Sequence, residues 1–141
     1  MFKHTVKYAD WNGVQKERDL YFNLTETDIN HLQMSYPGGL KAILEKIVKE
    51  VDNVEILKMF DMLVEKSYGV KSPDGERFMK GGEVFKAFQE SVAYDEFFKW
   101  MLEGKGENAS VFANAILPPQ LVAEAEKREK ESENGSVTPI N

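Results

Sequence analysis

The sequence predicts an α+β fold, mostly α, in which an N-terminal β-hairpin packs on a compact array of five or six helices. Two observations carry this prediction. Residues 2–24 alternate polar and apolar side chains, as half-buried strands do, and residues 40–51 repeat apolar side chains with the helical period. Because 141 residues can bury about two-thirds of their surface in one core, we expect a single globular domain over residues 1–122. A flexible acidic tail is expected over residues 123–141.

Residues 1–24 are predicted to form an antiparallel hairpin. Asn12-Gly13 is typical of a two-residue turn, because both positions tolerate a positive φ. Two strands alone are marginally stable in water, so the apolar face of this hairpin should pack on helices. The side chains expected on that face are Phe2, His4, Val6 and Tyr8 in the first strand and Leu20, Phe22 and Leu24 in the second.

Residues 25–122 are predicted to be helical, starting at a capping box formed by Thr25 and Asp28. Pro37-Gly38-Gly39 separates the first helix from the second, which covers residues 40–51. A third helix over residues 56–64 is apolar on nearly all sides, which is typical of a central buried helix.

Glycine and proline divide the rest of the helical region. Gly69 ends the third helix, Ser72 to Gly75 form a turn, and Gly81-Gly82 starts the fourth helix. A fifth helix is expected over residues 92–102 and a sixth over residues 108–116. A cap at Asp52 and Glu55 and a short charged helix ending near Lys130 complete the prediction.

Composition excludes several classes of function. The formal net charge of -6 argues against binding a phosphate backbone, so no nucleic acid is expected as a partner. The absence of cysteine excludes disulfides and thiolate metal sites, and the two histidines have no metal-ligand spacing, so no cofactor or metal is expected. No apolar run is long enough to cross a membrane and no signal peptide is evident, so we expect a soluble protein inside the cell.

No pattern in the sequence supports catalysis. The pairs Gly38-Gly39 and Gly81-Gly82 match neither phosphate-binding glycine motif, and no serine lies in a nucleophile elbow. We therefore expect a protein that is not an enzyme.

Aromatic residues in the C-terminal half are the most informative class. Core packing explains many of them, but Trp100 lies off the two apolar stripes of the fifth helix and is the best probe of an exposed surface. The candidate protein-binding residues are Tyr94, Phe97, Phe98, Trp100, Met101, Phe112, Ile116, Leu121 and Val122. Tyr8 and Trp11, at the edge of the hairpin, are a second candidate, where a partner strand could add.

The order of segments resembles one known family. MFKHTVKYADWNGVQKERDLYFNLTETDI is followed by GGLKAILEKIV, KSYGVKSPDGERFMK, FQESVAYDEFFKWML and ANAILPPQL. This pattern resembles the small tail assembly chaperones of long-tailed (siphovirus) phages and prophages of Gram-positive bacteria, over roughly residues 1–122.

The resemblance implies a non-enzymatic chaperone that binds the tape measure protein, keeps it soluble and promotes assembly of the tail tube. It also implies the tail tube protein as a second partner and the cytoplasm of the bacterial host as the site of action. The chaperone would be absent from the mature virion, and a homo-oligomer is possible. The alternative is an acidic phage regulatory or inhibitory protein that binds a host protein, although lysines are mixed among its acidic residues.

Overall fold

The computed structural model describes residues 1–49 and 54–118, and its fold is α+β, as the sequence predicts. The strands are β1 (Phe2–Ala9), β2 (Gln15–Phe22), β3 (Tyr68–Lys71) and β4 (Phe78–Lys80). The helices are α1 (Glu26–Ser35), α2 (Gly39–Lys49), α3 (Val54–Ser67), α4 (Gly82–Gln89), α5 (Val92–Leu102) and α6 (Glu107–Ile116). A short 3₁₀ turn, Glu103–Gly106, joins α5 to α6.

The N-terminal hairpin has the predicted faces. Phe2 pairs with Phe22 and Ala9 with Gln15, so both strands keep one register along their whole length. Leu20, Phe22 and Leu24 are buried, whereas Lys3, Thr5 and Lys7 on the opposite face are exposed. The alternation in the sequence therefore identified the side of the hairpin that faces the core.

The connection between β1 and β2 differs from the predicted two-residue turn. The Gly13 amide donates to the Asp10 carbonyl, and the Asp10 amide donates to the Val14 carbonyl, both at 2.9 Å. Gly13 has a φ of +79°, so the loop has three residues and ends in a left-handed glycine. The Asp10 carboxylate fixes this geometry because it accepts hydrogen bonds from the amides of Asn12 and Val14.

The sheet contains two strands that the sequence analysis missed. All four strands are antiparallel in the order β1-β2-β3-β4, and β3 follows α3 directly where the analysis predicted only the end of a helix. A Cβ on Gly69 of β3 would lie 2.5 Å from the ring of Phe78, so the glycine lets this ring lie against the strand. The segment from Ser72 to Gly75 is the turn of this second hairpin.

The predicted capping box at the start of α1 is present and is tied to the sheet. The Asp28 amide donates to the Thr25 hydroxyl, and the Thr25 amide donates to the Asp28 carboxylate. Lys80 of β4 donates to the Asn23 carbonyl at 2.6 Å and to the Asp28 carboxylate at 2.7 Å. One carboxylate thus joins the helix cap to the strand that the sequence analysis missed.

The Asp28 carboxylate should make part of the stability dependent on pH. Partial burial opposes its ionisation, but hydrogen bonds from Lys80 and Thr25 outweigh burial and hold the pKa of Asp28 below its ordinary 3.8. Because the pKa of Asp28 is lower in the folded state, its ionised form stabilises the protein fully at pH values above the ordinary pKa of 3.8. This stabilisation is lost as the pH falls through the folded-state pKa. We expect Asp28→Asn to lower the free energy of unfolding by about 1 kcal/mol at pH 7.

Urea unfolding of both proteins between pH 7 and pH 2.5 tests this expectation. The difference between the wild type and Asp28→Asn should shrink as the pH falls below 3.8. A difference that stays constant over this range would contradict a stabilising role of the ionised form.

The core lies between the sheet and the helices, and aromatic rings dominate it. Phe22, Tyr68, Phe88, Phe97 and Phe112 are its largest fully buried side chains. Tyr68 stacks on Phe88 with ring centroids 4.0 Å apart, and its hydroxyl accepts a hydrogen bond from Arg18 at 2.6 Å. This bond satisfies the one polar atom of a side chain that is otherwise enclosed.

Helix α3 is less buried than its sequence predicts. Met59, Phe60, Leu63 and Val64 face the core, but Leu57 is exposed and so are Lys58 and Asp61. The helix therefore covers one side of the core instead of passing through its centre. The predicted cap at Asp52 and Glu55, the tail over residues 123–141 and the helix near Lys130 lie outside the described side chains.

Candidate protein-binding surface

Helix α5 carries most of the candidate residues and presents three lengthwise rows of side chains. The Ser91 hydroxyl caps it by accepting a hydrogen bond from the Tyr94 amide at 3.4 Å. Its central row is Ala93, Phe97 and Met101, spaced four residues apart, and all three are buried. The other two rows flank this one and differ in what they contact.

Four of the predicted binding residues belong to the core in this structure. Phe97, Met101, Phe112 and Ile116 are all buried, and Phe97 and Phe112 are fully enclosed. The Phe97 ring stacks on Phe22 with centroids 4.6 Å apart, and Phe112 meets both rings edge-on. The sequence pattern predicts a binding surface for these four, but their side chains lie in the core.

The first flanking row of α5 consists of Tyr94, Phe98 and Leu102, and we call it the α5 stripe. Tyr94 and Phe98 are half-buried with ring centroids 4.7 Å apart, and Leu102 is 58% exposed. The stripe thus runs from the edge of the core into solvent. It leaves apolar surface exposed at the edge of the core.

Acidic side chains of α3 lie beside the α5 stripe. The pKa of the Tyr94 hydroxyl is raised by burial and then by the negative charges of Asp61 and Glu65. Partial burial also raises the pKa of Asp61. Asp61 and Glu65 are one helical turn apart and both exposed, and they form an acidic margin at the Tyr94 end of the α5 stripe.

Trp100, in the other flanking row, packs against β1. Its ring centroid is 4.1 Å from that of His4 and 6.1 Å from that of Phe2. These contacts bury part of His4, which lowers its pKa. Trp100 is therefore half-buried under the hairpin and is not the freely exposed probe that the sequence analysis expected.

The second candidate, Tyr8 and Trp11, lies at the loop end of the hairpin. Tyr8 is half-buried, whereas Trp11 is 79% exposed and donates a hydrogen bond from Nε1 to the Glu90 carbonyl at 3.0 Å. This bond attaches the loop to the end of α4. It also satisfies the only polar atom of the ring, so what remains exposed is apolar.

Sequence reasoning missed a cleft formed by the end of α1 with α2 and α3. The cleft has a volume of about 330 Å³ and is lined by Tyr36, Lys46, Lys58, Met59 and Met62. Its residues come from three separate segments, and no spacing within one segment signals them. The other two candidates, Leu121 and Val122, lie outside the described residues.

The described part of the chain offers little to other classes of site. Within residues 1–49 and 54–118, no group of three His, Asp or Glu side chains could hold a metal ion. None of the helices described there is long and apolar enough to cross a membrane. The arrangement can bind another polypeptide through apolar contact and charge.

Comparison with known proteins identifies a family. A family model described as phage tail assembly chaperone matches residues 1–139, which extends beyond the region of resemblance noted in the sequence. No curated protein and no solved structure matches the chain.

Proposed function

The chain belongs to the phage tail assembly chaperone family, and on this basis we propose that it acts by binding the tape measure protein. In this proposal it is not an enzyme: it keeps the tape measure protein soluble and helps the tail tube protein to polymerise around it. It acts in the cytoplasm of the bacterial host and is left out of the mature virion. A homo-oligomer would present several copies of the binding surface to one long client.

The α5 stripe is the observation that carries this proposal. Tyr94, Phe98 and Leu102 follow one face of a regular helix, so they match the spacing of apolar residues on a client helix. Two of them are half-buried, so their positions are fixed before binding and little side-chain entropy is lost. Such a row can cover the apolar face of a helical segment that would otherwise aggregate.

Charge supports the same function. The net charge of -6 keeps a chaperone–client complex in solution through mutual repulsion. The acidic margin formed by Asp61 and Glu65 lies next to the α5 stripe and favours client helices with lysine or arginine beside their apolar face.

We expect the double variant Phe98→Ala, Leu102→Ala to bind the tape measure protein of the same phage at least about tenfold more weakly. Both side chains are partly exposed in the free chaperone, so their truncation removes contact surface while the central row of α5 stays intact. Binding is measured by pull-down, and chaperone activity is the fraction of co-expressed tape measure protein that stays soluble.

The matched control is Val14→Ala at the hairpin loop. It truncates an aliphatic side chain that is 54% exposed, close to the 58% of Leu102. It should bind and solubilise like the wild type, and all three proteins should keep the same helical circular dichroism. Equal solubilisation by the double variant and the control would assign the client site to another surface.

A further inference from the structure

One side of the β1 backbone bonds to no other group within residues 1–49 and 54–118. The amide of Asp10 bonds to Val14 across the hairpin, and the alternation of an antiparallel ladder then directs the backbone groups of Phe2, His4, Val6 and Tyr8 towards β2. The backbone groups of Lys3, Thr5 and Lys7 point the other way. The hydrogen bonds of β2 agree with this assignment. Its even-numbered residues bond to β1, so its odd-numbered residues should bond on the β3 side, and the Asn23 amide does donate to the Ser67 carbonyl just before β3.

The outward side of β1 is the edge of the sheet. In the strand order β1-β2-β3-β4, β1 is terminal, and no group in the described ranges bonds to the outward amides and carbonyls of Lys3, Thr5 and Lys7. An edge of eight residues is long for a strand that is left unpaired. It offers a template for one more strand.

A cleft follows this edge, between β1 and α5. It has a volume of about 280 Å³ and includes Thr5 and Lys7 on the strand side and Glu96, Lys99, Trp100 and Glu103 on the helix side. A strand added to β1 would lie over this cleft. Its side chains opposite His4 and Val6 would turn inwards to the half-buried ring of Trp100, which favours apolar residues there.

On its outer face β1 itself carries two lysines, Lys3 and Lys7, with Asp19 and Glu17 of β2 beside them. Side chains opposite Lys3, Thr5 and Lys7 would share their face of the sheet. Lys7 has no ion-pair partner within the described residues, and Lys3 has only a contact of 3.6 Å with Asp19 at the solvent-exposed surface. Acidic residues of an added strand would pair with these two lysines.

The same lysines disfavour a second copy of this chain as the added strand. When two copies of β1 pair antiparallel through their outward groups, Lys3 or Lys7 lies directly opposite or diagonal to a lysine of the other copy. Like charges in these positions destabilise a sheet, and lysine on an edge strand is a common barrier to self-pairing.

We propose that the free edge of β1 binds an extended segment of a partner protein in which acidic and apolar residues alternate. The ladder of backbone hydrogen bonds supplies affinity, and Lys3, Lys7 and Trp100 select the sequence. This site uses a different surface and a different client conformation from the α5 stripe, so it does not depend on the identity of the tape measure protein as client.

The probe is an eight-residue peptide of alternating valine and glutamate, compared with one of alternating valine and lysine. We expect the full chain to bind the glutamate peptide at least about tenfold more tightly. In ¹⁵N NMR spectra, the amides of Lys3, Thr5 and Lys7 should shift on binding and exchange with solvent more slowly.

Lys7→Glu tests the selection by charge, with Lys86→Glu, an exposed lysine on α4, as the matched control. Lys7→Glu should lose most of the preference for the glutamate peptide, whereas Lys86→Glu should keep it. Three results would overturn the proposal: equal binding of both peptides, shifts confined to residues outside β1, or a dimer of the free chain that protects the β1 amides.

Discussion

Phe22→Ala is expected to lower the free energy of unfolding by about 3 to 5 kcal/mol. Phe22 is fully buried and joins the hairpin to the helices. Its ring stacks on Phe97 at 4.6 Å and meets Phe112 edge-on at 5.2 Å and Tyr68 at 5.7 Å. Truncation leaves a cavity with rings from β3, α5 and α6 on its walls, and rings cannot collapse into it easily. Urea unfolding followed by circular dichroism measures the loss.

Tyr21→Ala is the matched control, since Tyr21 is the preceding aromatic residue and lies on the other face of β2. Its ring is half-buried and has the Lys71 ammonium 4.1 Å from its centroid, so its truncation should cost about 1 kcal/mol. Equal losses for the two variants would show that the hairpin is an appendage instead of one wall of the core.

Phe97→Ala is also expected to lower the free energy of unfolding by about 3 to 5 kcal/mol. This is a large part of the total stability of a typical small domain. On the hairpin side, the Phe97 ring contacts the rings of Phe22 and of His4, the latter with centroids 5.7 Å apart. On the helix side, it contacts the ring of Phe112. Its removal would open the core on both the sheet side and the helix side. The variant should melt well below the wild type or fail to accumulate in folded form.

The adjacent residue provides the comparison for Phe97. Phe98 is half-buried in the α5 stripe, so Phe98→Ala should keep the fold and lose binding of the tape measure protein. Phe97→Leu, which refills most of the cavity, should recover most of the lost stability. If Phe97→Ala kept its melting temperature but lost the client, the assignment of Phe97 to the core would be wrong.

Patterns within single segments predicted much of this fold. The alternation over residues 2–24 predicted both strands and the buried side of the hairpin, because side chains of a strand alternate between its faces. Thr25 and Asp28 predicted the start of α1, because a cap is made by residues three positions apart. Each of these features depends on neighbours within one element.

The missed strands depend on neighbours elsewhere in the chain. β3 has four residues and β4 three, which is too short for a periodic pattern to stand out. β3 forms because Gly69 pairs with Tyr21, a contact that joins distant segments of the sequence. β4 then pairs with β3 inside the second hairpin, where Lys80 lies opposite Gly69. The sequence showed the turn between them but not that the turn belongs to a hairpin.

The candidate surface on α5 also has features that depend on one segment alone and features that depend on distant segments. The spacing of residues 92–102 is enough to predict that α5 is a helix with rows of aromatic side chains. That Phe97 faces the hairpin, that Trp100 packs on His4, and that Phe98 and Leu102 stay accessible depends on how the elements pack together. The physical reason is that helical period orders side chains around an axis, whereas the position of the sheet and of α3 decides which of them lose contact with water.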